Sequence, residues 1–105
     1  MARACFLMQV KPERLAEYLV AHEVWPEMLE AIRAVGISNY SLHCRPDGLV
    51  MGYLEGDDIH ESLRRLGETE VNARWQAGMA EFFASGSGDL ESGGLQWLEE
   101  YFHLA

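Results

Sequence analysis

"ISNYSLHCRPDGLVMGYLE" (residues 37–55) decides the fold. Its first eight residues, 37–44, alternate in polarity and read as a strand. "RPDG" (45–48) puts Pro, Asp and Gly where a tight turn needs them. "LVMGYLE" (49–55) is the return strand, so the stretch is a hairpin. Gly52 inside that strand predicts a bulge or the close approach of another group.

Upstream of the hairpin, "RACFLMQV" (3–10) is a short apolar run closed by Lys-Pro and suits a mostly buried strand. Pro12 fits the first turn of a helix, Glu13 favours its positive end, and Gly36 ends it after Val35. The apolar stripe of this segment is Leu15, Tyr18, Leu19, His22, Trp25, Leu29 and Ile32, at spacings of three and four. Pro26 cannot donate a backbone hydrogen bond, which predicts a kink or a break there. Two helical pieces meeting near Trp25 would form a corner for a pocket.

Downstream, "DDIHESLRRLGE" (57–68) reads as an Asp-capped helix. "TEVNARWQAGMAEFFAS" (69–85) reads as a second helical piece, capped by Thr69, with stripe Val71, Trp75, Met79, Phe82 and Phe83. "GSGDLESGG" (86–94) is polar and glycine-rich and reads as a mobile loop; "LQWLEEYFHL" (95–104) reads as a last strand.

Strand, helix, strand, strand, helix, strand is an α+β order, the ferredoxin-like βαββαβ arrangement: an antiparallel sheet with helices on one face. The open face is expected to carry Trp97 and Tyr101. Apolar surface of that extent predicts a symmetric homodimer of the dimeric α/β barrel type. A length of 105 residues predicts one domain spanning 1–105.

Eight Lys and Arg against 17 Asp and Glu give a formal charge of −9. Such a chain is repelled by phosphate backbones and anionic membranes, which argues against both as partners. No apolar run approaches a spanning length and the N-terminus lacks a signal pattern, so the expectation is a soluble cytoplasmic protein. Cys5 and Cys44 lie in strand-like runs and read as buried free thiols. His22, His43, His60 and His103 have no ligand-like spacing; neither a metal nor a cofactor is expected.

Tyr18 and His22 are four apart and share a helix face. Asn39 and Tyr40 are adjacent in a strand, so only one of them is expected to share a pocket with His22. With Trp75 these residues suggest an aromatic-walled cleft holding one imidazole and one or two phenols. Such a lining suits a sugar, because rings stack on C–H faces and polar groups bind hydroxyls. The blander reading stays open at this point: His22 as a hydrogen-bonded core residue, and Trp75, Met79, Phe82 and Phe83 as plain core.

"FLMQVKPERLAEYLVAHEVWPEM" (6–28) resembles the start of the L-rhamnose mutarotase family: a strand, then Pro, a Tyr-x-x-x-His helix and Trp-Pro-Glu. "VGISNYSLH", "NARWQAGMAEFF" and the terminal "YFHLA" are similar to later segments of that family, so the resemblance covers nearly the whole chain. It implies a small ferredoxin-like dimer that interconverts sugar anomers without a cofactor. It makes His22 the acid/base, and Tyr18, Tyr40, Trp75 and Gln76 the lining of the sugar site. A monosaccharide, L-rhamnose or a related deoxyhexose, is the implied substrate.

Three departures bear on which sugar is taken. Two residues, Glu23 and Val24, separate His22 from Trp25 where the family has three; as a helix that would turn Trp25 by about 100°. Trp75-Gln76 replaces a Trp-Trp pair, and "ASGSGDLESGG" (84–94) replaces an Asn-Pro-rich loop. The rival readings are a cofactor-free oxygenase or dehydratase on the same fold with His22 as base, and a non-catalytic ligand-binding dimer.

Overall fold

The computed structural model describes residues 2–84 and 95–105. The glycine-rich stretch read as a loop (86–94) falls outside the described residues. Strands β1 (Ala2–Gln9), β2 (Ser38–Cys44), β3 (Leu49–Gly56) and β4 (Gln96–Leu98) form one antiparallel sheet in the order β2-β3-β1-β4. Helices α1 (Leu15–Ala21), α2 (Pro26–Ala34), α3 (Ile59–Gly67) and α4 (Glu70–Met79) connect them. This is the ferredoxin-like order predicted from the hairpin outward.

Alternation decides which face is covered. Phe6, Met8 and Val10 point inward from β1 and are buried; Val50 and Leu54 do the same from β3. Gly52 is a close approach rather than a bulge. It lies opposite Phe6 in the ladder, and a Cβ there would stand 2.2 Å from Phe6 Cζ. The missing side chain lets the Phe6 ring lie flat on the sheet.

The helical segment after β1 breaks, and the break has a local cause. Pro12 opens a short 3-10 turn, Pro12–Arg14, before α1. A residue before proline is pushed into extended backbone, and Trp25 is extended at φ −63°, ψ 145°. Pro26 then takes the first position of α2, where its missing N–H costs nothing. Residues 22–25 are therefore a non-helical link. At the far end of α2, the Gly36 N–H donates to the Arg33 carbonyl and the Ile37 N–H to that of Ile32, with Gly36 left-handed at φ 92°. That pair of bonds is a Schellman stop.

Asp58 accepts from the Glu61 N–H at the start of α3, and Thr69 from the Asn72 N–H at the start of α4. Each cap contributes about 1 kcal/mol. The helical piece predicted over 69–85 is α4 followed by a 3-10 turn, Ala80–Phe82. It stops there because Phe83 pairs with Val10 as an isolated bridge.

Two expectations are corrected at the C-terminus. The strand predicted over 95–104 is only three residues long, and 99–105 have no regular structure. Trp97 is not on the open face. It pairs with Phe6, packs edge-on against that ring at 5.5 Å and against His60 at 5.1 Å, and so lies on the helix side. His60 therefore has a packing role the sequence did not suggest. The open face instead carries Met51 and Leu98, both exposed, with half-buried Cys5, Leu7 and Tyr53. Both cysteines are free, and Cys44 is exposed rather than buried. Glu100 forms an ion pair with Arg3 at 3.0 Å.

Candidate active site

The break between α1 and α2 positions His22. Its backbone N–H closes the last turn of α1 on the Tyr18 carbonyl at 2.9 Å, and the chain then leaves the helix. The imidazole is thereby turned into a cavity of about 530 Å³ between the helices and the β2 side of the sheet. That volume lies within the range of sites that enclose small molecules. His22, Tyr18, Tyr40, Trp75 and Gln76, all expected at a sugar site, line this one cavity. Met8, Met28 and Met79 contribute soft apolar surface, and Phe83 and Leu42 add to it.

The aromatic groups hold one another. His22 stands 5.5 Å from the Tyr18 ring and 5.2 Å from the Trp75 ring, the latter at 89°. Tyr18 is fixed in turn by Phe82 and Phe83, each edge-on to it. Trp25 does not border the main cavity. It packs edge-on behind Trp75 at 5.2 Å, with the Arg74 guanidinium over its outer face and Arg74 paired to Glu27 at 3.2 Å. The shortened spacing between His22 and Trp25 therefore does not rotate a helix, because no helix runs there. It seats Trp25 as a buttress of Trp75.

Burial sets the proton chemistry. It lowers the His22 pKa below the ordinary imidazole value, opposed in part by a hydrogen bond with its own backbone. It pushes the Tyr18 hydroxyl up to about 12 and raises Tyr40 further. At neutral pH the site holds a neutral imidazole, which is a base, and two protonated phenols, which are hydrogen-bond donors. Gln76 is half-buried, and its amide donates to Asn72 Oδ1 at 3.4 Å, leaving its carbonyl oxygen as an acceptor.

The expectation that Asn39 and Tyr40 face opposite ways is modified by a bulge. Ser38 pairs with Glu55 and Ser41 with Tyr53, so Asn39 and Tyr40 together oppose Leu54 alone. Asn39 is left-handed at φ 47°. Both residues border the cavity, with the Asn39 amide bonded to Glu55 outside it. Sequence reading missed Arg33, on the last turn of α2, which also borders the cavity. Its place in the helix phase next to Ile32 was the available signal.

Among the described residues, no group of three or more His, Cys, Asp or Glu could hold a metal ion. Among them too, no helix is long and apolar enough to cross a membrane.

Comparison with known proteins identifies the family. The family model for L-rhamnose mutarotase matches residues 3–104. The L-rhamnose mutarotase of Bacillus subtilis (strain 168) is 35% identical over 106 residues, covering 99% of each chain. That of Mesorhizobium japonicum is 34% identical over 102 residues, covering 95% of this chain and 94% of its own. Among solved structures, L-rhamnose mutarotase FA22100 from Formosa agariphila superposes with a TM-score of 0.81 at 20% identity, covering 100% of both chains. Tetracenomycin F2 cyclase from Streptomyces glaucescens superposes with a TM-score of 0.53 at 18% identity, covering 100% of this chain and 98% of its own. At those identities the two structures bear on the fold alone.

Proposed function

We propose that this chain, which belongs to the L-rhamnose mutarotase family, interconverts the α and β anomers of L-rhamnose or a related deoxyhexose with His22 as its acid/base. The observation that carries the reading is the convergence of one neutral imidazole, two phenols, an indole and an amide on a single cavity. The apolar stretches of that cavity suit the methyl and C–H faces of a deoxyhexose, and the phenols and amide suit its hydroxyls.

The reaction needs only one mobile proton. His22 removes the proton of the anomeric hydroxyl. The C1–O5 bond breaks as the anomeric oxygen becomes a carbonyl, and the imidazolium returns its proton to O5. The product is the open-chain aldehyde with a free O5 hydroxyl. Rotation about C1–C2 presents the other carbonyl face, and the same steps in reverse close the ring to the other anomer. Both oxygens are attached to C1 in the ring form, so one side chain can serve both. A positioned general acid/base of this kind contributes about 10² to 10⁴-fold. Tyr18 and Tyr40, held protonated, donate hydrogen bonds to the sugar and orient it. Trp75, braced by Trp25, supplies the stacking wall.

The protein acts as a single-domain homodimer. Support comes from the exposed Met51 and Leu98 on the open face and from the C-terminal Tyr101, Phe102 and Leu104, which are 97%, 74% and 82% exposed. A surface of this kind is unfavourable in an isolated chain.

The test is saturation transfer between the α and β anomeric protons of equilibrated L-rhamnose, then of other aldoses, on addition of protein. Transfer that disappears with His22→Ala supports the reading. Exchange that persists unchanged in that variant excludes His22 as the acid/base, and no exchange with any sugar excludes the activity.

A further inference from the structure

Period-2 alternation places strand residues an odd number apart on opposite faces. Ile37, just before β2, is buried in the core, and Tyr40, three positions on, packs against the same core, so both lie on the inner side of the sheet. The extra residue of the β2 bulge accommodates this. The bulge itself rests on Asn39, which is left-handed at φ 47° and is the one non-glycine residue with positive φ among the described residues. Asparagine tolerates that region better than most side chains, but still needs a reason to stay there. The reason lies on the far side of the sheet. The Asn39 amide donates to Glu55 Oε1 at 2.7 Å, and the Tyr53 hydroxyl donates to the same carboxylate through Oε2. Glu55 does not border the cavity.

We infer that Glu55 is a positioning residue for the active site: through Asn39 it holds the bulge that turns Tyr40 into the cavity. The Tyr53 hydroxyl first, and the Asn39 amide second, hold the Glu55 carboxyl below the usual carboxylate range, so at neutral pH it is an ionised acceptor. Tyr53 fixes one oxygen and Asn39 uses the other. The carboxylate thus acts as a bracket across β3 and β2, and Tyr40, next in the chain, takes its direction from that bracket. At its own end Tyr40 packs edge-on to Phe6 at 6.3 Å, the ring that Gly52 admits.

The kinetic part of this inference rests on the anomerase reading; its spectroscopic part does not. The experiment compares Glu55→Ala, Glu55→Gln and Tyr40→Phe with the parent, using ring NMR signals of the tyrosines and sugar exchange rates. Glu55→Ala is expected to shift the Tyr40 ring signals and to lower kcat by about tenfold or more, as a misplaced group near the reacting atoms does. Glu55→Gln keeps an acceptor oxygen and retains most of the rate. In the Tyr40→Phe background, Glu55→Ala is expected to cause little further loss, because it acts through that residue. If Glu55→Ala does not fold, Asn39→Gly and Asn39→Val replace it: glycine accepts the left-handed backbone and valine does not, so valine is expected to lose more rate and to move Tyr40 further. Unmoved Tyr40 signals in Glu55→Ala, or losses that simply multiply in the double variant, overturn the inference. If the parent exchanges no sugar, the Tyr40 signals alone decide it.

Discussion

The imidazole of His22 stands edge-on to the indole of Trp75, ring centres 5.2 Å apart and planes at 89°. Among the described residues the imidazole is held by packing against Trp75 and Tyr18 and has no carboxylate partner. A His oriented by a carboxylate would have its pKa raised; this one is lowered, because burial dominates. The consequence is a base ready at neutral pH. Replacing His22 with Ala is therefore expected to reduce anomer exchange by about 10² to 10⁴-fold, while Tm moves by only a few degrees because the side chain is half-buried. Exchange NMR and a thermal melt on the same sample check both halves.

The pH dependence follows with a definite sign. With the neutral imidazole as the proposed base, kcat/KM is expected to be flat near neutrality. It falls as pH drops through the folded pKa, with a midpoint below ~6.5. Stability behaves in parallel. Between the folded pKa and ~6.5 the unfolded chain binds the proton more readily, so stability is full above ~6.5 and is lost as pH falls through that window. A pH series of exchange rates and of unfolding midpoints, with His22→Ala as the control lacking this slope, makes the comparison. A kinetic midpoint at or above ~6.5 contradicts it.

Gly52→Ala is expected to destabilise the fold by about 1–3 kcal/mol, the usual cost of overpacking. The added Cβ meets Phe6 Cζ at 2.2 Å and two further Phe6 ring atoms inside 2.8 Å, so the ring must move. Phe6 is fully buried and touches both Tyr40 and Trp97 edge-on, leaving it little room to yield. Denaturant titration reads the loss directly. A change under 0.5 kcal/mol, the size of an ordinary surface substitution, would mean that the sheet flexes to accept the methyl.

Local chemistry decides which of these features the amino-acid sequence reveals. The βαββαβ order is legible because the hairpin, the Asp and Thr caps and the glycine stop are local signals, each with its own chemistry. Of the five residues expected at the site, His22 owes its place to the break before Pro26, a local signal that a proline must give. Three features are not legible. The bulge at Asn39 depends on a partner, Glu55, 16 positions away in the chain. The face of Trp97 depends on its register with Phe6, which no nearby turn sets. Residues 99–105 include the strand formers Tyr101 and Phe102 but pair with no strand among the described residues, and pairing rather than propensity makes a strand.

Gln76 is the cavity position most open to change. Its side chain is half-buried, makes one long hydrogen bond and stands next to Trp75 in the chain. Gln76→Trp is expected to add a second stacking surface and to lower KM for a deoxyhexose by roughly twofold to tenfold, the equivalent of about 0.5–1.5 kcal/mol. Sugars that depend on hydroxyl contacts with the amide should lose affinity in the same variant. Measuring KM for several aldoses with both proteins separates the two effects. A uniform change across all of them would mean that residue 76 alters access and not selection.

The C-terminal residues supply the test of assembly. Tyr101, Phe102 and Leu104 project almost fully into solvent, beyond an ion pair from Arg3 to Glu100 that ties the start of this segment to β1. Exposing so much apolar surface is unfavourable for an arm anchored at one end unless a second surface receives it. In the proposed homodimer, the open sheet face of a second copy, with its exposed Met51 and Leu98, would be that surface. Replacing Tyr101, Phe102 and Leu104 together with Ser is expected to shift the protein from dimer to monomer in sedimentation equilibrium. The fold should survive in circular dichroism, because none of the three belongs to the core. A variant that remains dimeric would place the interface on the sheet face alone, and a parent that is already monomeric would remove the dimer altogether.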